Sequence, residues 1–134
     1  MSTTTSRSGV YDTIHVAVMG DDPELEAALE AALERPGTQS RVSPLASRPE
    51  SIPIVGRLGA QIVVVCGGGQ PAEARALLSQ LSTDLPQVVR ILLADEMDRE
   101  APAHLVLVQP YDVDELADIL DVARCTWVSL AHTG

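Results

Sequence analysis

The stretch "VVVCGGGQP", Val63 to Pro71, decides how the rest of the chain is read. An apolar run closes on a cysteine, three glycines and a proline. Extended back to Gln61, the run "QIVVVC" is apolar almost without a break, as expected of a strand buried on both faces in a parallel sheet. Pro71 suits the first position of a helix, and "QPAEARALLSQLS" places Ala74, Leu77, Leu78 and Leu81 on one helical face. Strand, glycine turn and proline-led helix mark the mouth of a pocket. Glycine, however, supplies no reacting side chain.

The same alternation continues on both sides. "TIHVAVM", Thr13 to Met19, reads as a first strand. In "GDDPELEAALEAALERPG", Asp22 is an N-cap ahead of Pro23; Leu25, Ala28, Leu29, Ala32 and Leu33 form an inward face, and Pro36-Gly37 ends the helix. Gln39 to Ser43 reads as a weaker strand, with Pro44 suggesting an edge strand or the strand's end. In "RPESIPIVGRLGA" Pro53 and Gly56 predict a short or distorted helix. "QVVRILLA" and "HLVLVQ" are the fourth and fifth strands. "DVDELADILDVARCTWVSLAH" is the last helix, with Asp112 and Glu115 as a capping box and Val113, Leu116, Ile119, Leu120, Ala123 and Trp127 as its inner stripe. Strands alternating with helices imply a parallel sheet covered on both faces. Right-handed crossovers make this a doubly wound, five-stranded, flavodoxin-like α/β domain. One connection is short: only "DEMDREAPA" separates Ala94 from His104, whereas a helical crossover needs at least about 10–12 residues. The fourth helix is therefore expected to be a single turn or missing. Residues 1–11 read as a disordered tail and 12–134 as one domain.

Composition narrows the function. The 134 residues are 46% hydrophobic and 21% charged, enough for one packed core. Aromatics are 2% with no Phe, so Val, Leu, Ile and Ala must build that core. A net charge of -10 and scattered basic residues argue against direct nucleic-acid contact. Cys66 and Cys125 form no CxxC and no disulfide framework, which fits a reduced, cytoplasmic setting. No stretch reaches membrane-spanning length. His15, His104 and His132 lack ligand spacing, and no nucleophile–base set stands out; neither catalysis nor a cofactor is expected.

These landmarks together resemble the receiver domain family of bacterial response regulators, over roughly Thr13 to Leu130. Four places carry the resemblance: the acidic pair Asp21-Asp22 after the first strand, "VVVCGGGQP" at the third, "ILLAD" at the fourth, and "LVLVQPYDVDEL" at the fifth. Receivers carry metal-binding acids at the first place, a phosphoaccepting Asp four residues before a Pro at the second, a Ser or Thr at the third, and Lys-Pro with an aromatic at the last. Gly67 stands at the phosphoacceptor position, Ala94 at the Ser/Thr position and Gln109 at the Lys position. The resemblance is thus to an atypical member, a pseudo-receiver. Phosphoryl transfer needs a nucleophile, Mg²⁺ and groups that stabilise the phosphoryl oxygens. Glycine is no nucleophile, Gln109 is uncharged, and Asp21 with Asp22 at most binds a metal weakly.

The resemblance implies a non-catalytic signalling module of two-component type, acting by protein–protein contact without phosphorylation. It implies either a stand-alone chain or the regulatory part of a longer one, such as a transcription regulator or a localisation ATPase. A homodimer is expected over surface left bare by the thinned crossover, with Tyr111, Trp127 and Leu130 as interface candidates. The alternative is a small-molecule or anion-binding regulator. Its cleft would be Gly67, Gly68, Gly69 and Gln109, because successive backbone N–H groups before a helix can form an anion nest. Cys66 reads either as a small core residue or as a thiol activated near a helix start.

Overall fold

A computed structural model of the protein describes residues 13–20, 22–34, 39–67 and 71–133. The expected tail at 1–11 lies outside them. The strands are β1 (Thr13–Met19), β2 (Gln39–Leu45), β3 (Ile62–Cys66), β4 (Val89–Ala94) and β5 (Leu105–Val108). They pair in the order β2-β1-β3-β4-β5, each neighbour parallel to the next. The helices are α1 (Pro23–Leu33), α2 (Ile52–Leu58, entered through a 3₁₀ turn at Pro49–Ser51), α3 (Pro71–Asp84) and α4 (Val113–Thr133). This is the expected doubly wound, flavodoxin-like sheet.

Period-two alternation splits the core between the two faces. On one face Val16, Val18, Ile62, Val64, Ile91 and Leu93 pack with Leu25 and Leu29 of α1 and Leu116, Leu120 and Ala123 of α4. On the other, Ala17, Met19, Val63, Val65, Leu92 and Ala94 pack with Ile52 and Val55 of α2 and Ala74, Leu77, Leu78 and Leu81 of α3. Residues 62–65 of β3 and all of β4 are buried, which is why β3 reads as an apolar run and β4 as one broken only by Arg90. Each fully buried aliphatic side chain contributes roughly 1.5–3 kcal/mol, so this core is supplied without aromatics.

Two details, in β2 and α4, differ from the sequence reading, while α2 is the short helix expected. β2 is an edge strand, one of the two readings of Pro44, but it does not end at Ser43; it runs through Pro44, which pairs with Val18, to Leu45. An edge strand has one row of backbone groups facing away from the sheet, so a proline there interrupts no ladder on the inner side. α2 keeps Pro53 in its first turn, where no N–H is required, and ends at Gly59 with φ 70°. Val113 is 45% exposed rather than inward, in a first turn of α4 whose residues 113–115 are all exposed; Ile119 and Trp127 are only partly buried.

The β4–β5 crossover contains no helix: residues 95–104 are turns and bends. Side chains hold it instead. Arg90, 9% exposed on β4, donates through Nε to the Pro102 carbonyl at 2.9 Å. His104 Nδ1 accepts the Arg90 backbone N–H at 3.0 Å, and His104 N donates to the Arg90 carbonyl at 2.9 Å. Ala101 and Ala103 pack where a helix would otherwise lie. At the other end Arg75 of α3 makes a two-pronged ion pair with Asp98, Nε to Oδ2 at 2.7 Å and Nη2 to Oδ1 at 2.9 Å.

Candidate functional site

The C-terminal ends of the strands place the candidate residues along one edge of the sheet, where ligands of open α/β sheets collect. After β1 the chain turns at Gly20, whose N–H donates to the Leu45 carbonyl at 3.1 Å. A Cβ there would stand 2.7 Å from Cys66 Sγ, so only glycine lets β1 pass this close to the end of β3. Asp22 then caps α1, with Oδ1 accepting the Leu25 N–H at 3.1 Å. Its role as a cap is thus visible in the geometry. Asp21 lies outside the described residues. Among the described residues no group of three or more His, Cys, Asp or Glu side chains is placed to hold a metal ion.

Gly67 is buried and donates its N–H to the Leu93 carbonyl at 2.8 Å. A Cβ at this position would meet Leu92 Cδ1 at 2.9 Å, and Ala74 Cβ and the Leu93 carbonyl oxygen each at 3.2 Å. The leucine tip could swing aside; the alanine and the strand carbonyl could not without moving α3 or β4. Any side chain at this position is therefore crowded and needs its neighbours to give by a few tenths of an ångström. Gly68 and Gly69 lie outside the described residues. Ala94 ends β4, 9% exposed, and its carbonyl accepts the Gln109 N–H at 2.9 Å. The Gln109-Pro110 peptide is cis.

Two concavities flank these residues. A cleft of about 490 Å³ brings Asp22, Glu24, Asp95, Gln109 and Tyr111 together, with no basic side chain in its lining. The Tyr111 hydroxyl is pushed above its ordinary value, first by burial and then by the Asp22 carboxylate; a hydrogen bond with Gln109 acts in the opposite direction. A second groove of about 340 Å³ holds Gly67 and Ala94, lying between the start of α3 and residues 95–98. Asp95 borders both. The four described candidates do not converge on one point: Asp22 and Gln109 share the cleft, while Gly67 and Ala94 share the groove.

Asp95 and the Arg75–Asp98 pair were missed in the sequence reading. Asp95 carried a signal, standing directly after the last residue of β4 in "ILLAD". Arg75 and Asp98 are 23 residues apart and have no local signature. Cys66 is not an activated thiol. Burial, with the Asp22 carboxylate adding to it, pushes its pKa up to about 11. Cys125 is exposed on α4. Tyr111, Trp127 and Leu130 all pack from partly buried positions against the α1/α4 side of the core. His15 Nε2 lies 2.8 Å from Ser43 Oγ, so His15 ties β1 to β2, as His104 ties β5 to β4. The side chain of His132 lies outside the described residues. No helix among the described residues is long and apolar enough to cross a membrane.

No family model and no curated protein matches the sequence. Solved structures do match. A response regulator from Thermotoga maritima superposes with a TM-score of 0.72 at 19% identity, covering 84% of this chain and 98% of that one. A pilus assembly-related protein from Burkholderia pseudomallei superposes with a TM-score of 0.66 at 20% identity, over 84% of this chain and 90% of the other. A CheY-like protein from Pseudomonas aeruginosa gives 0.63 at 16%, over 83% and 93%. At such identities the likeness is one of fold: the chain has the architecture of receiver domains.

Proposed function

We propose that this chain is a regulatory domain of receiver architecture that signals through protein contacts and not through phosphoryl transfer. The observation that carries this reading is the packing around Gly67. The position where the resemblance expects a phosphoaccepting aspartate has a leucine, an alanine and a strand carbonyl within 3.2 Å of any Cβ. Ala94 adds no hydroxyl and Gln109 no positive charge, so neither could steady a phosphoryl group. The domain is non-enzymatic on this reading, and its output comes from an attached domain or a separate partner. The response-regulator and pilus-assembly descriptions of its structural neighbours support an output in regulation or assembly. Self-association belongs to the same reading. Val122 and Val128 of α4 are 50% and 46% exposed, which leaves apolar surface for a second copy.

The test is incubation with acetyl phosphate and Mg²⁺, and separately with beryllofluoride. Intact mass should not change and thermal stability should not rise. A stable phosphoprotein, or stabilisation by beryllofluoride, would sink the proposal. The alternative, an anion or small metabolite in the degenerate cleft, has electrostatics against it. Of its expected residues Gln109 lies in the cleft lined by Asp22, Glu24 and Asp95 and Gly67 in the groove lined by Asp95, Glu96 and Asp98, and carboxylates repel an anion unless a cation offsets them.

A further inference from the structure

The helix-free crossover leaves the groove between α3 and residues 95–98 open to solvent. Its floor is small and apolar, formed by Ala74, Leu92 and Ala94. Met97 stands at its rim, 58% exposed, and methionine adapts its shape to irregular apolar partners. Asp95 and Glu96, both exposed, complete the rim, and neither meets a basic side chain among the described residues. The one cation in the lining, Arg75, is already held by Asp98 at 2.7 Å.

We propose that this groove docks a short segment of a partner protein that presents one aliphatic side chain flanked by arginine or lysine. The volume of about 340 Å³ lies at the low end of the roughly 300–1,000 Å³ usual for binding pockets, which suits one or two side chains more than a bulky cofactor. Charge decides the flanking residues. Asp95, Glu96 and Asp98 face a single guanidinium, so the rim is net negative and attracts a cationic segment. The same argument disfavours groove-to-groove pairing of two copies here, because two such acidic rims would repel one another. The groove is also formed in advance. Arg75–Asp98 pins one end of the crossover and Arg90 with Pro102 the other, so binding need not first order the loop. The proposal rests on the reading of the domain as a contact-driven signalling module and gives that contact a place and a chemistry.

The experiment is a titration of the isotope-labelled chain, followed by NMR, with the blocked peptide Ser-Arg-Leu-Arg-Ser. Two controls accompany it, one with serine in place of leucine and one with glutamate in place of both arginines. The expected result is movement of the Ala74, Ala94 and Met97 methyl signals by the first peptide and by neither control. The double reversal Asp95→Lys with Glu96→Lys changes only exposed residues and should weaken binding on the order of tenfold. Shifts confined to the acidic face of α4, indifference to the leucine, or indifference to the charge reversal would overturn the assignment. Beryllofluoride with Mg²⁺ added to the same sample separates the two levels. If it perturbs Gly67, the contact-only function fails whatever the peptide does. If it is silent and no peptide seats, the groove assignment alone fails.

Discussion

At the scale of single residues, Gly67 concentrates the problem. That a nucleophile is missing there is legible in "VCGGGQP". That one placed there would be crowded is not, because the walls come from Leu92, Leu93 and Ala74. The Gly67→Asp variant is therefore expected to lose about 1–3 kcal/mol of stability through overpacking, measured by urea unfolding, and to take up no phosphate from acetyl phosphate. Uptake without loss of stability would contradict the packing argument. Cys66 gives a second test. With its pKa near 11, roughly one molecule in a thousand carries the thiolate at about pH 8. Iodoacetamide should modify exposed Cys125 first and leave Cys66 unreacted in the folded protein, as peptide mapping would show.

At the scale of elements, the short β4–β5 connection was readable by counting: nine residues cannot carry a full helix and return. What takes the helix's place was not readable. Arg90 looks like one charged interruption in an apolar strand, yet its side chain secures the crossover through the carbonyl of Pro102. Substituting Arg90→Met keeps the apolar stem and removes the donor, leaving that carbonyl without its partner. The expected cost is about 1–3 kcal/mol, with faster amide exchange at Ala103 and His104. Unchanged exchange at those amides would mean the crossover is held by packing alone. The same scale explains the two misread ends. A proline reads as a stop in β2 only if the outer side of the strand needs an N–H, and Val113 reads as inward only if the first turn of α4 reaches the core.

At the scale of the whole molecule, two histidines stitch neighbouring strands together and set a pH dependence. Burial is the leading cause that lowers both His15 and His104 below their ordinary value of 6.5. For His104 the Arg90 charge adds to it, and for His15 the Arg41 charge does, partly offset by a backbone hydrogen bond at Leu58. The unfolded chain then binds protons more readily than the folded one below about pH 6.5, so stability is full above that value and falls as pH drops toward the folded-state values. The melting temperature should decline between about pH 7.5 and pH 5.5, before most carboxylates titrate. His104→Asn can still accept the Arg90 N–H and should make the decline shallower; an identical decline in wild type and variant would exclude this histidine as a cause. The architecture itself was legible from local pattern. Period-two apolar runs, one-sided helical stripes, the Asp22 and Asp112 caps and the fixed hand of crossovers leave few topologies for five strands in this order. The surroundings of the candidate site were decided only by tertiary structure. Asp95 and Tyr111 lining one cleft, Arg75 against Asp98, and Leu92 and Ala74 crowding Gly67 bring together residues remote in the chain, and periodicity records which way a side chain faces but not what it meets there.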